Sequence, residues 1–344
     1  MSATLRDVAR EAGVHTATAA RALSDATRDK VSAATRQRVD QAARKLGYTA
    51  NAAAAALRTG RSGFVGMLIP DLANPLFASL LKSAEQRLRT HGWTLLLAQV
   101  DPTDGDRLAA LRTLVSKRVD GLILATTQGE DPILDLVHRQ RIPTVLVNRG
   151  FGERRFPSVV NDDQQSMRLA IEHLQSLGHR ELLHLSGPRS SSTGLTRLEG
   201  FRRWAGPKQA VVEAGFFTRE AGRDAMLGHL RSAAAGCRQT AVVAANDLIA
   251  LGAIEAIRSL GGRVPQDFSV IGHNDMPFMD LVSPPLTTVK VHTGLMGQEA
   301  ADLLVQRMTQ PGEAVPATRL LHPDLVVRAS CAAPRAAKVF KPPR

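Results

Sequence analysis

The sequence predicts an α/β protein, a helix-turn-helix headpiece followed by a two-lobed, doubly wound domain. Three observations predict it. Residues 1–61 carry eleven Lys and Arg against five Asp and Glu, half of the chain's net charge of +12 within under a fifth of its 344 residues. A Gly-containing turn at Gly13 separates two short helical patterns in that segment. From Phe64 onward, apolar β-rich runs alternate with amphipathic helical stretches, the pattern of parallel sheets covered on both faces.

The headpiece (residues 1–48) reads as three helices. Thr4 with Asp7 three residues on forms a capping box for a helix bearing Leu5, Val8, Ala9 and Ala12, which Gly13 ends. Val14 leads into a second helix, about Thr16 to Leu23, placed to enter a major groove. Ser32 N-caps a third, Ala33 to Leu46, closed by Gly47. Residues 49–61 follow as a hinge helix and linker. Ala52–Ala56 give high helix propensity, but a segment this short is marginal in water without a partner.

The domain at 62–331 contains apolar strand runs at Phe64–Pro70, Trp93–Val100, Val119–Ala125, Pro143–Val147, Leu182–Ser186, Ala241–Ala245 and Phe268–Gly272. Helical patterns lie between them at Leu76–Thr90, Asp104–Arg118, Gln164–Leu177, Arg219–Ala235 and Leu248–Leu260. These are too many units for one compact sheet, so two lobes are expected. Open α/β sheets bind ligands beyond the carboxyl ends of their strands. Polar residues recur at those ends: Asp71, Asn74, Asn148, Asp162, Asn246 and Asn274, with Arg149 and Arg189 nearby. That recurrence favours a polar, multi-hydroxyl ligand. The basic tail, residues 332–344, reads as disordered.

Composition is that of an ordinary globular chain, 44% hydrophobic and 22% charged, and the basic excess points to a polyanionic partner. Two cysteines without a CxxC argue against a disulfide framework or a zinc site. "MSATLRDVAR" lacks an apolar core of the signal-peptide kind and no stretch is apolar enough to span a bilayer, so a cytoplasmic protein is expected. There is no GxSxG, GxxxxGK[ST] or HExxH, so no enzyme, cofactor or metal is expected. His173, His179 and His184 have no one-faced ligand spacing. "GPRSSSTG" is read as lining a ligand cleft rather than cradling phosphate.

"TLRDVAREAGV", "TATAARAL" and "VSAATRQRVDQAARKLGYTAN" closely resemble the headpiece of the lactose-repressor/galactose-repressor family of bacterial transcription regulators. "VGMLIPDLANPLFASLL", "VDGLILA", "HLQSLGHRELLHLSGP", "RLEGF", "AANDLIALGAIEAI" and "PPLTTVKV" continue the match in family order, over about residues 4 to 330. The resemblance implies a dimeric repressor that binds a pseudo-palindromic operator and is controlled by a small carbohydrate-type effector: a sugar, sugar acid or sugar phosphate. It implies lobes like those of periplasmic sugar-binding proteins, crossed by the chain near Asn161, Val289 and Pro323. The implied DNA-facing residues are Thr4, Leu5, His15, Thr16, Ala17, Thr18, Arg21, Ser24, Lys30, Ser32, Tyr48, Asn51, Ala54 and Leu57. Leu57 matches a leucine that wedges between the central base pairs, and Arg21 has the fork for bidentate pairing with guanine. The implied effector set is Asn74, Leu76, Phe77, Asn148, Asp162, Arg197, Phe217, Asn246 and Asn274, with Arg197 as the clamp.

Departures from the pattern are specific. Asn274 replaces the usual aspartate, although Asp275 follows it, and a neutral amide tolerates an anionic ligand better. His15 and Ala20 replace phosphate-touching serines, and Ala50 replaces the hinge proline. A transport-type sugar-binding protein fits the lobes but not the basic headpiece. A sugar-modifying enzyme lacks any catalytic constellation.

Overall fold

The computed structural model describes residues 3–24, 27–48, 61–100, 107–126, 131–150, 155–233, 236–310, 318–335 and 340. The chain divides into two compact units, Met1–Ser62 and Gly63–Arg344.

In the first unit, α1 (Leu5–Glu11) opens on the reciprocal Thr4/Asp7 capping box. It ends in a Schellman arrangement, with Gly13 at φ 63° and the Val14 N–H donating to the Ala9 carbonyl at 3.0 Å. That tight exit lets α2 (Thr16–Ala22) begin three residues later, N-capped by His15, whose Nδ1 accepts from the Ala17 N–H. The third helix, α3 (Ala33–Lys45), is N-capped by Ser32 and ends in the same motif, through Gly47 at φ 59° and a Tyr48 N–H to Ala43 carbonyl bond of 2.9 Å. Val8, Ala9, Ala12, Ala19, Ala22, Val31, Val39, Ala42 and Ala43 form the small core, so α1 and α2 close on each other through alanines.

The second unit holds two six-stranded sheets. The first contains β1 (Phe64–Ile69), β2 (Thr94–Gln99), β3 (Gly121–Leu124), β4 (Thr144–Val147) and β5 (Ser158–Asn161), with α4 (Leu76–Thr90), α5 (Arg107–Ser116) and α6 (Pro132–Arg139) between them. The second is built from β6 (Leu182–Ser186), β7 (Ala210–Glu213), β8 (Ala241–Ala244), β9 (Ser269–Asn274) and β10 (Thr287–Lys290). Its helices are α7 (Asp163–Ser176), α8 (Ser192–Ala205), α9 (Arg219–Ser232) and α10 (Asp247–Ser259). After β10 the chain returns to the first lobe as α11 (Thr293–Thr309), adds β11 (Thr318–Leu321) to the first sheet, then β12 (Asp324–Val326) to the second. The strand orders are β11-β5-β4-β3-β1-β2 and β12-β10-β9-β8-β6-β7, parallel throughout except for β12. Both are doubly wound, with switch points beside β1 and β6. Apolar clusters cover both faces of each sheet.

The three expected lobe crossings stand after Asn161, after Lys290 and at His322–Pro323. They are laced together: the Asp162 N–H donates to the Leu321 carbonyl at 2.9 Å, and His292 Nε2 lies 2.9 Å from Asp324 Oδ2.

Helices cross closely where glycine removes the side chain. A Cβ on Gly252 of α10 would sit 2.0 Å from the Arg219 carbonyl oxygen of α9, and one on Gly222 of α9 would sit 2.5 Å from the Ile249 carbonyl oxygen of α10.

One expectation is corrected. The chain after Cys331 is not a free tail over its described residues. His179 Nε2 and Ser269 Oγ both bond the Ala332 carbonyl, at 2.9 and 3.0 Å. Phe340 forms an antiparallel bridge with Cys237, its ring edge-on to Phe268 at 5.2 Å. An aromatic ring that finds an apolar socket outweighs the entropy that composition alone assigns to a Pro/Ala/Lys stretch.

Candidate effector cleft and DNA-binding headpiece

In the headpiece, Ala17 and Arg21 lie exposed on α2, with Thr16 and Thr18 half-buried beside them. Arg10, Arg28, Arg36 and Lys45 pair with Asp7, Asp40, Asp29 and Glu11. Arg6, Arg21, Lys30 and Arg38 have no carboxylate within 4.0 Å among the described residues, which leaves their charge available to a polyanion. Thr4, His15, Lys30 and Ser32 are exposed, and Ser24 is half-buried. Leu5 and Tyr48 pack on the headpiece core, so their contribution to any surface is partial. Asn51, Ala54 and Leu57 lie outside the described residues.

Between the lobes, at the carboxyl ends of the strands, is a cavity of about 380 Å³. Eight of the nine expected effector residues line it: Asn74, Leu76, Phe77, Asn148, Arg197, Phe217, Asn246 and Asn274. Each polar one is fixed by local structure. Asn74 Oδ1 accepts from the Leu76 N–H at the start of α4, and Asn246 Oδ1 from the Ile249 N–H at the start of α10. Asn246 Nδ2 also donates to the Phe217 carbonyl at 3.2 Å, tying two wall elements together. Asn148 and Asn274 sit at positive φ, 62° and 121°, backbone positions where asparagine is among the more tolerated side chains. Asn274 Oδ1 is 3.0 Å from His273 Nδ1.

Asp162 is the exception. Its carboxylate caps α7 by accepting from the Gln165 N–H at 2.9 Å, and it is not among the lining residues. A capping acid and a ligand-facing acid have the same sequence signature at a strand-to-helix junction. Asp275 also turns away, to Arg328 at 2.7 Å. Arg189 pairs with Glu213 at 3.1 Å rather than lining the cavity.

Arg197 reaches the cavity from α8 while anchored at two points. Its Nε donates to Asp163 Oδ1 at 3.1 Å and its Nη1 to the Ala245 carbonyl at 2.6 Å. Burial pushes the Asp163 carboxyl up, against the opposing pull of Arg197. Asn161 Nδ2 donates to the same Asp163 oxygen at 2.8 Å, so the clamp is bonded to the first lobe crossing. Behind it, burial drives His273 well down and His184 down to about 4, so both rings are neutral.

"GPRSSSTG" lines the cleft as expected, through Pro188, Ser190, Ser191 and Thr193. Its end glycines make room for close neighbours, a side chain at one and backbone at the other. A Cβ on Gly187 would come within 2.3 Å of the Phe217 ring, and one on Gly194 within 2.2 Å of the Pro188 carbonyl oxygen. Ser192 Oγ accepts from the Gly150 N–H across the cleft at 3.2 Å.

Sequence reasoning missed Gln99, Phe216 and Thr218 as lining residues. Gln99 is the last residue of β2, and the strand-end rule finds it once that end is placed one residue earlier. The histidines are structural: His179 bonds Thr240 and Ser269, and His184 bonds the Val243 carbonyl and stacks on Phe201 at 4.8 Å. Among the described residues no cluster of ligating side chains could hold a metal ion, and no helix is long and apolar enough to cross a membrane.

Residues 4–51 match the model of the bacterial regulatory proteins of the lacI family, and residues 171–331 a periplasmic binding protein-like domain. The chain is 35% identical to the HTH-type transcriptional regulator MalR of Streptomyces coelicolor, over 96% of this chain and 97% of that protein. It is 31% identical to the ribose operon repressor of Escherichia coli, over 90% and 94%. Among solved structures, a lac repressor dimer bound to operator and the anti-inducer ONPF matches with a TM-score of 0.83 and 29% identity, over 97% of this chain and all of that one. A complex of the transcriptional regulator CelR with cellobiose matches at 0.72 and 31%, over 95% and 99%. The headpiece, the doubly wound lobes and these full-length likenesses have one reading: this chain belongs to the lacI family of bacterial regulatory proteins, DNA-binding regulators of transcription.

Proposed function

We propose that the protein is a cytoplasmic, homodimeric repressor of a pseudo-palindromic operator, released or engaged by a carbohydrate-type effector bound between its lobes. The observation that carries this is the pairing, in one chain, of an exposed recognition helix bearing Arg21 with a polar cavity of about 380 Å³ at the strand ends. Thr16, Ala17 and Arg21 read base edges, the first two through methyl contacts to thymine and Arg21 through guanine. The hinge at 49–61 folds only on specific DNA, where Leu57 wedges into the minor groove and kinks the duplex. The effector favours one lobe arrangement and thereby changes the spacing of the paired headpieces. Relatives and neighbours whose names carry ribose and cellobiose support a saccharide.

Selection of bound duplexes from a pseudo-palindromic pool, followed by mobility shift with and without saccharides, tests the reading. Specific binding that weakens steeply with salt and responds to a saccharide is expected. Saccharide binding with no preference for any duplex would refute the operator reading.

A further inference from the structure

The cleft and the second lobe crossing meet at one buried carboxylate. Asp247 is the first residue of α10, directly after the cleft residue Asn246, and it is fully buried. Its two oxygens serve different elements. Oδ2 accepts from the Met276 N–H at 2.8 Å, two residues beyond the cleft residue Asn274. Oδ1 accepts from Thr288 Oγ1 on β10 at 2.6 Å. β9 makes room for the group: a Cβ on Gly272, which pairs with Thr288 in the β9–β10 ladder, would stand 2.3 Å from Oδ1. Two residues after Thr288, β10 ends and the chain crosses to the first lobe. The Val291 N–H at that crossing donates to the Asn274 carbonyl at 3.2 Å.

The choice of an acid here has a physical reason. A carboxylate offers an acceptor to each of the two donors with no proton of its own to place, and the positive end of α10 favours its charge. The turn it holds needs holding. Asn274 and Asp275 stand at φ 121° and 55°, conformations that persist only where neighbours over-determine them. Asp247 fixes that turn at the Met276 N–H, and Arg328 fixes it at the Asp275 carboxylate.

Resting on the effector reading above, we infer that Asp247 is a positioning residue of the cleft and its link to the operator. Through Met276 it holds the turn that carries Asn274, and through Thr288 it passes the set of that turn to the crossing after β10. A ligand that draws on Asn246 and Asn274 changes the seat of the carboxylate between them, and the Thr288 bond carries that change into the hinge of the lobes. The two arms do separate work. The Met276 arm sets affinity, and the Thr288 arm sets response.

The test uses the full chain and the duplex selected from the pseudo-palindromic pool. The ligand is whichever of a panel of pentoses, hexoses and disaccharides, ribose and cellobiose included, binds the wild type by titration calorimetry. Mobility shift with and without that saccharide gives the operator response, about 5- to 150-fold for an ordinary coupling. Thr288→Val, close to Thr in shape, should leave saccharide affinity within about 3-fold and cut the response by at least about 5-fold. Thr288→Ser, which keeps the hydroxyl, should restore it. Ser330→Ala removes a buried bond to the neighbouring Thr287 N–H, so it controls for lost stability, and its response should stay that of the wild type. Asp247→Ala should weaken saccharide binding at least about 10-fold, and adding Thr288→Val to it should cost no further response. Melting curves separate lost binding from lost folding; where Asp247→Ala fails to fold, the Thr288 variants decide. A wild-type response in Thr288→Val, or an equal loss in Ser330→Ala, overturns the link. Saccharide affinity of a folded Asp247→Ala within about 3-fold of the wild type overturns the positioning role. Either result leaves the effector reading standing. A wild type that binds no saccharide, or whose operator affinity no saccharide changes, fells the effector reading and this inference with it.

Discussion

Replacing Arg197 by alanine tests whether one side chain serves both the fold and the cleft. The guanidinium makes two buried bonds, to Asp163 and to the Ala245 carbonyl, and both members of the ion pair have side chains less than a tenth exposed. Removing one partner of a buried pair strands the other, at a cost of about 3–5 kcal/mol. A domain of this size loses roughly 2–4 °C of melting temperature per kcal/mol, so a drop on the order of 10 °C is expected. Asp163 already titrates above the usual carboxylate range, and without Arg197 it should move higher. An acid whose folded pKa is raised has its stability in full at low pH and loses it as pH rises through that pKa. The Arg197→Ala deficit should therefore be smaller at pH 5 than at pH 8. Asp163→Asn in the Arg197→Ala background should recover part of the stability and none of the effector affinity. The assays are thermal or urea melts across pH and calorimetry with the effector. A cost below about 1 kcal/mol, or a double variant that regains effector binding, would refute this dual role.

Other substitutions probe other parts of the molecule. Arg21→Ala should lower operator affinity by about 10- to 100-fold while leaving affinity for unrelated duplex nearly unchanged, read by competition mobility shift; an equal loss on both would make Arg21 a phosphate contact. Gly252→Ala should cost about 1–3 kcal/mol through the α9–α10 contact, whereas Gly228→Ala, with nothing within 4 Å of its added Cβ, should gain up to about 1 kcal/mol of helix propensity. Paired melts decide it, and equal effects would deny the tight crossing. His184, neutral in the fold with its pKa lowered to about 4, adds stability that is complete above its unfolded value near 6.5 and is lost as pH falls toward 4. His184→Leu should flatten that acid limb of the melting profile; an unchanged limb would place the titration elsewhere. Leu57→Ala should abolish operator bending in circular permutation assays while sparing non-specific binding, and equal bending would reduce the hinge to a tether.

The headpiece was legible almost residue by residue because its signals are local: Thr4/Asp7, Gly13, Ser32 and Gly47 act within one helical turn of themselves. The inner strands were legible because parallel strands buried on both faces are continuous apolar runs, as in β3 and β6. The short strands β5, β7 and β10 to β12 were not named as such, because four residues or fewer of mixed polarity carry too little periodicity. Helices α6, α8 and α11 were likewise unassigned; α8 is interrupted by Gly194 and Gly200, which composition reads as loop. In the cleft, residue type and strand-end position pick out Asp71, Asn74, Asn148, Asn246 and Asn274, whereas Leu76, Phe77, Arg197 and Phe217 come only with the family resemblance. Direction is what they do not encode: Asp162 and Asp275 sit at the right ends but spend their carboxylates on a helix cap and on Arg328, partners fixed by tertiary structure.

The lacing of the three crossings has a mechanical consequence. Segments bonded to one another at Asp162–Leu321 and His292–Asp324 resist sliding past one another, which favours rotation about the crossings over shear between the lobes. Under the proposed mechanism, any small molecule that holds the same angle delivers the same message, whatever its chemistry. Side chains at the cleft rim are therefore free to be exchanged for a new ligand without rebuilding the lever. Conversely, a substitution in the lacing would retune response to every ligand at once while touching none of them.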